Sequence, residues 1–135
     1  VAAFVDTNVI VYAFDRSEER KRRIALELLA DQGELLVVSA QVLAEFFWTV
    51  TRKLRPPLPE ATAQQVVKDL SVGPVVPMDA GLIEASFSTA RRHQLALWDA
   101  MIVESAIAGG CERLLTEDLS PGQVIRGLRI EDPFA

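Results

Sequence analysis

The stretch Ala3-Phe4-Val5-Asp6-Thr7-Asn8 decides how the chain is read, because an apolar run stops there abruptly at a carboxylate. Phe4 and Val5 have the character of a buried strand end, and Val9-Ile10-Val11-Tyr12-Ala13-Phe14 restarts the apolar pattern at once. A strand that ends in Asp-Thr-Asn and flows into a helix sets three polar side chains at the carboxyl edge of a sheet. In open α/β sheets that edge is where ligands bind. Asp6 and Thr7 equally suit the N-cap of the following helix, so the motif alone has two readings.

Outward from that stretch, strands and helices alternate. Asp15-Arg16-Ser17-Glu18 supplies cap-type residues, and a helix with Ile24, Leu28 and Leu29 on its apolar face is expected through about Asp31. Leu35-Leu36-Val37-Val38 follows as a buried strand, and Ser39 opens a helix to about Leu54. That helix is apolar on most sides. Gln41, Glu45, Thr49 and Arg52 form its narrow polar stripe, so Glu45 faces either a thin strip of water or a site. Arg55-Pro56-Pro57-Leu58-Pro59 breaks the helix. A helix from about Glu60 to Leu70, a short strand at Val75-Val76 and a helix capped by Asp79 through about His93 come next.

The last third repeats the opening theme. A helix is expected from about Asp99 to Ala108, with Asp99 on the same face as Ile102, Val103 and Ala106. A carboxylate heading an apolar stripe needs a cap, a cation or a metal, because burying an unpaired charge is costly. Glu112-Arg113-Leu114-Leu115 then forms a strand that ends in Thr116-Glu117-Asp118, and Leu128-Arg129-Ile130 forms a fifth. The alternation predicts a three-layer α/β/α domain with a central parallel sheet of about five strands, spanning 1–135 as one unit. Parallel strands share their carboxyl edge, so Asp6 and Asp118 fall together, framed by the helices that carry Glu45 and Asp99.

Composition narrows the chemistry. Half of the 135 residues are hydrophobic and 24% are charged, as in a folded globular domain. Cys111 is the only cysteine and His93 the only histidine. Zinc sites built from several His and Cys ligands are therefore out of reach. A Ser-His-Asp triad would have to use His93, and no Gly-x-Ser-x-Gly elbow accompanies it. The remaining metal chemistry rests on oxygen donors, which favours Mg²⁺ or Mn²⁺. A net charge of −5 argues against nucleic-acid binding by bulk charge. It leaves room for local basic surfaces: Arg20-Lys21-Arg22-Arg23, and Arg52, Lys53 and Arg55, are each either a solvated helix face or a set of phosphate contacts. No apolar run is long enough to cross a bilayer and no signal-like segment opens the sequence, so a cytoplasmic location without membrane contact is expected.

Four carboxylates converging on one cleft repel one another unless a divalent cation is present. Metal-assisted hydrolysis of phosphodiesters uses such a cluster and requires no histidine base. On Phe4-Val5-Asp6-Thr7-Asn8, Val42-Leu43-Ala44-Glu45-Phe46, Leu97-Trp98-Asp99-Ala100 and Leu114-Leu115-Thr116-Glu117-Asp118-Leu119, taken in order, the chain resembles the PIN-domain ribonucleases. Specifically, it resembles the VapC-like toxins of type II toxin–antitoxin pairs. Its closing Gly122-to-Phe134 segment also looks like the tail of that family.

The resemblance implies that Asp6, Glu45, Asp99 and Asp118 are the acidic quartet around Mg²⁺ or Mn²⁺, with Asp6, Asp99 and Asp118 as the metal ligands. Asn8 and Thr116 match the polar residues that orient it, and Glu117 takes the middle slot of a Thr-x-Asp pattern as a supporting residue. Asp15 is a further acid near the cleft, whereas Glu104 is expected to face elsewhere. The resemblance also implies a metal-dependent endoribonuclease, an RNA substrate, a cognate antitoxin and a homodimer. A PIN-like module that no longer cuts and works by protein or RNA binding is the alternative. A haloacid-dehalogenase-type phosphatase would need Asp where Asn8 stands, and a metal-dependent adhesion site would need Ser at Asn8 and Ile10.

Overall fold

The computed structural model describes residues 2–135; Val1, at the head of the expected domain, lies outside them. The first half of the chain runs β1 (Ala2–Val5), α1 (Thr7–Tyr12), α2 (Glu19–Ala30), β2 (Leu35–Ser39), α3 (Ala40–Arg52), α4 (Glu60–Leu70) and β3 (Val75–Val76). The second half runs α5 (Ala80–His93), α6 (Leu97–Ala108), β4 (Arg113–Leu115), β5 (Val124–Ile125) and β6 (Leu128–Glu131). The sheet has six strands in the order β3-β2-β1-β4-β6-β5, and helices flank it.

Five strands are parallel, as the alternation predicts, and β5 is the addition. Val124-Ile125 folds back antiparallel on β6 through a two-residue turn at Arg126-Gly127, where both residues have positive φ (46° and 83°). Such primed turns match the strand twist, but Arg126 replaces the usual Asn or Asp, so the hairpin has no sequence signature. The sheet is accordingly mixed at one edge.

The register places the site. Val5 pairs with Leu115 across β1 and β4, which brings the next residues, Asp6 and Thr116, side by side at the carboxyl edge. The Asp6 N–H donates to the Leu115 carbonyl (3.0 Å) and carries the ladder one residue past the strand. Phe4, Val5, Val9, Ile10, Phe46, Leu114 and Ile130 are fully buried beneath that edge. Cβ atoms that alternate along these strands meet the apolar faces of α1, α3 and α6.

α6 is the internal helix. Ala100 through Ala106 are all buried, so the helix is covered on every side and shows no polar stripe. It begins at Leu97, two residues earlier than Asp99, because Ala96 holds the N-cap position. Asp99 therefore sits in the first turn and does not cap it. Asp79 caps α5 by accepting from the Leu82 N–H (2.9 Å), and Ser39 caps α3 by accepting from Val42 (3.2 Å). The Asp15–Glu18 segment departs from expectation: Asp15 accepts from Ser17 in a turn, and α2 starts without a side-chain cap.

Candidate active site

Asp6 is the centre of a hydrogen-bond network at the carboxyl edge. It is 5% exposed. It is the N-cap of α1, accepting from the Thr7 N–H (2.7 Å), and its other oxygen accepts from the Thr116 hydroxyl (2.8 Å). Both readings of the opening motif therefore hold at once, since the capping carboxylate also faces the cleft residues. Asn8, one turn further into the cleft, donates to Asp118 (2.8 Å) and approaches the Thr116 hydroxyl (3.4 Å), while its carbonyl accepts from the Glu117 amide (3.3 Å). Thr116 also accepts from the Asp118 amide (3.1 Å). Asn8 and Thr116 thus tie the β1–α1 junction to the loop after β4.

Glu45 approaches from α3. The Thr7 hydroxyl donates to it (2.9 Å), and so does the amide of Gln41 one turn earlier (3.3 Å). The narrow polar stripe of α3 thus faces a site. Gln41 was not singled out by motif. It is 7% exposed, and its amide also reaches the Trp98 carbonyl (3.4 Å), so it joins Glu45 to the first turn of α6. The signal available for it was its spacing of four residues from Glu45. Thr7 was a candidate N-cap by residue type; Asp6 takes that position, and the Thr7 hydroxyl serves Glu45 instead.

Asp99 is half-buried, with neither a hydrogen-bond partner nor a cation among the described residues. Burial pushes its carboxyl upward, and the charges of Asp118 and Glu45 push in the same direction. For Asp6 burial is again the largest effect, and Asp118 and Glu45 add to it. The hydrogen bonds from Thr116 and Thr7 oppose them, and the carboxyl comes to rest at about 6. Asp6 and Asp99 therefore both feel Asp118 and Glu45. The structure brings Glu45 and Asp118 within electrostatic reach of both Asp6 and Asp99. No ion pair involves any of the four among the described residues. Nor does any set of three His, Cys, Asp or Glu side chains there stand close enough to hold an ion unaided.

The other singled-out acids have different surroundings. The Glu117 carboxylate pairs with Lys21 (2.5 Å) and accepts from the Tyr12 hydroxyl (2.7 Å), so only its backbone amide serves the site. Glu104 faces away as expected: it is buried, bound by Arg126 through both oxygens (2.8 Å each) and by the Thr89 hydroxyl (2.6 Å). The basic run on α2 is largely engaged. Lys21 holds Glu117, Arg22 pairs with Glu19 (2.7 Å), and Arg20 donates to the Phe134 carbonyl (2.6 Å). Of these, Arg20 is exposed and the Arg22–Glu19 pair lies on the exposed surface of α2, as a solvated helix face would have it. Arg52 lies over the Trp48 ring (4.2 Å to its centre).

Two depressions meet at Asp118. One, of about 450 Å³, runs between Tyr12 and Trp48 and includes Thr7, Asn8, Glu45 and Asp118. The other, of about 510 Å³, is lined by His93, Gln94, Asp99, Asp118, Ser120 and Gln123 among others. Between them they form a trough lined by Glu45, Asp99 and Asp118. An apolar hollow of about 460 Å³ between β3, α5 and α6 contains none of the four.

A mostly parallel sheet between helices, with an acidic trough at its carboxyl edge, defines an α/β/α domain with a ligand-binding edge. The chain belongs to the PIN domain family, whose model matches residues 3–124. Among solved structures it is similar to Mycobacterium tuberculosis VapC20, described as a sarcin–ricin-loop-cleaving toxin. That match has 23% identity and a TM-score of 0.68 over 83% of this chain and 86% of that one. A toxin–antitoxin complex from Klebsiella pneumoniae matches at 22% identity and a TM-score of 0.72 over 97% of each chain. VapBC2 of Rickettsia felis, bound to a DNA fragment from its promoter, matches at 23% and 0.64 over 97% and 98%. These likenesses are likenesses of fold. No curated protein matches the sequence.

Proposed function

We propose that this protein is a metal-dependent endoribonuclease that serves as the toxin of a toxin–antitoxin pair, with Asp6, Glu45, Asp99 and Asp118 as its catalytic carboxylates. The observation that carries the reading is the convergence of four acids without a cationic side chain among the described residues, at the ligand-binding edge of a PIN domain. Membership of the PIN family and the VapC-type fold of the neighbours support RNA as substrate and an antitoxin protein as partner; a second copy of the chain is part of the same proposal. The cytoplasm is the compartment this reading implies.

The donor set suits Mg²⁺ or Mn²⁺. All the groups are hard oxygen donors, and Mg²⁺ is commonly held by one or two carboxylates plus water and substrate phosphate oxygens, without an all-protein cage. Asp6, Asp99 and Asp118 are the proposed ligands. A bound divalent ion would offset the mutual repulsion of the acids and stabilise charge on the scissile phosphate. The chain's own residues do the positioning. Thr116 and the Thr7 amide hold the two Asp6 oxygens, Asn8 holds Asp118, and Thr7 and Gln41 hold Glu45. Such outer hydrogen bonds fix ligand orientation.

The test is cleavage of total cellular RNA by purified protein. Cutting is expected with Mg²⁺ or Mn²⁺ and is expected to stop in EDTA. Undiminished cleavage in EDTA by a preparation free of contaminating nuclease refutes the metal mechanism. Failure to cut any RNA with either ion favours a silent binding module.

A further inference from the structure

Trp48 is 52% exposed, which is unusual for so large an apolar ring, and it stands three residues after Glu45 on the same face of α3. Arg52 covers it at 4.2 Å, and the ring still lines the trough beside Asp118. Tyr12 forms the facing wall and is held rigidly. Its hydroxyl is engaged by Glu117, and its ring packs edge-on against Phe134 (5.0 Å between centres). The space between them, about 450 Å³, is of the size of a small-ligand cleft. Thr7, Asn8 and Thr49 offer polar groups along it.

Resting on the nuclease reading, we infer that this space is a nucleobase pocket in which one unpaired base next to the scissile phosphate stacks on Trp48. The scissile phosphate belongs with the metal at Asp6, Asp99 and Asp118, whereas a neutral planar base with hydrogen-bonding edges matches the aromatic wall and the polar rim of this space. Arg52, stacked on Trp48 and without an acidic partner among the described residues, lies beside the pocket as a cation for the adjoining phosphate. An apolar peptide has a better seat next door, in the hollow between α3 and α4 lined by Leu43, Phe47 and Val67, with Trp48 common to both. Stacking requires an extruded base, so the base that binds here is one left unpaired in the RNA.

The experiment pairs protein and substrate changes. Wild type maps the cut in a synthetic single-stranded oligoribonucleotide with Mg²⁺. Trp48→Leu, Trp48→Phe and wild type are then compared on that oligonucleotide and on copies with an abasic site at each position flanking the cut. Loss of one stack should lower kcat/KM of Trp48→Leu about 5- to 150-fold, chiefly through KM, while Trp48→Phe keeps most activity. One abasic position should cost wild type a similar factor and cost Trp48→Leu almost nothing more, because the two changes remove the same contact. Independent penalties at every position, or Trp48→Leu kinetics equal to wild type, overturn the pocket and leave Trp48 to the neighbouring peptide seat. If Trp48→Leu melts as unfolded, the abasic scan of wild type still decides: no sensitive position overturns the inference. If wild type cuts nothing with either Mg²⁺ or Mn²⁺, the nuclease reading and the pocket fall together.

Discussion

Two sets of acids in this molecule are treated in opposite ways. Away from the cleft, Glu104, Glu34 and Glu131 each have a cation: Arg126 binds both oxygens of Glu104, and Arg113 bridges Glu34 and Glu131. At the carboxyl edge, Asp6 and Asp99 have none among the described residues, although Asp6 is as buried as Glu104. Hydroxyls and amides hold Asp6, Glu45 and Asp118 instead, and they orient a carboxylate without cancelling its charge. The contrast separates a carboxylate that serves the fold from one the fold tolerates for another purpose. An uncompensated buried charge is costly, so four acids gathered without a cation mark a site more firmly than any one motif.

The largest effect expected of this contrast is on catalysis. Asp99→Asn should lower RNA cleavage by roughly two orders of magnitude or more, since a carboxylate that stabilises transition-state charge contributes several kcal/mol. Arg126→Leu, on the other side of the comparison, should cut RNA at the wild-type rate at a temperature where it is folded. Initial rates on one RNA with Mg²⁺ measure both. Equal losses in the two variants would erase the distinction.

A smaller effect concerns pH in EDTA. Asp6 titrates near 6 when folded and near 3.8 when unfolded. Below both values each state is protonated and the group costs nothing. As pH rises through that window the unfolded chain releases its proton first, so stability falls with rising pH, by up to about 3 kcal/mol at pH 7. Asp6→Asn keeps the shape and removes the titration. Its stability relative to wild type should therefore climb from about parity at pH 4 to a clear excess at pH 7, as read from urea midpoints in EDTA. A difference that does not change with pH would remove burial and crowding of charge as the property of Asp6.

The smallest effect has the reverse sign. Arg126→Leu leaves the Glu104 carboxylate buried with only Thr89, which should cost about 1–3 kcal/mol; the arginine is half-exposed, so the full penalty of a broken buried pair is discounted. Thermal melts check it. Removing a charge from one region should thus stabilise the metal-free protein, and removing one from the other should destabilise it.

Much of this was legible from residue order. Breaks such as Gln32-Gly33 and Arg55-Pro56-Pro57 punctuate the chain strongly, and parallel topology then obliges Asp6 and Asp118 to share an edge. Glu45 and Asp99 were harder, because a helix face points at a cleft only once its packing is known. Lys21 was illegible: its partner, Glu117, lies 96 residues away. The β5–β6 hairpin was missed because Arg126 adopts a backbone conformation that its residue type does not advertise. Gln41 stood in the polar stripe of α3 without a role of its own, and it is buried between two elements of the site.

The adjacency of β1 and β4 has a consequence for the timing of folding. The bonds that complete the cleft, from Asn8 to Asp118 and from Thr116 to Asp6, span 110 residues each. Closing so long a loop comes late, after the local helices and the early strand pair are in place. A ribosome that has released only the first hundred residues therefore carries a chain with Asp6 and Glu45 but with no floor beneath them and no partner for Asn8. The cleft is therefore assembled only near the end of synthesis, when β4 slots in beside β1.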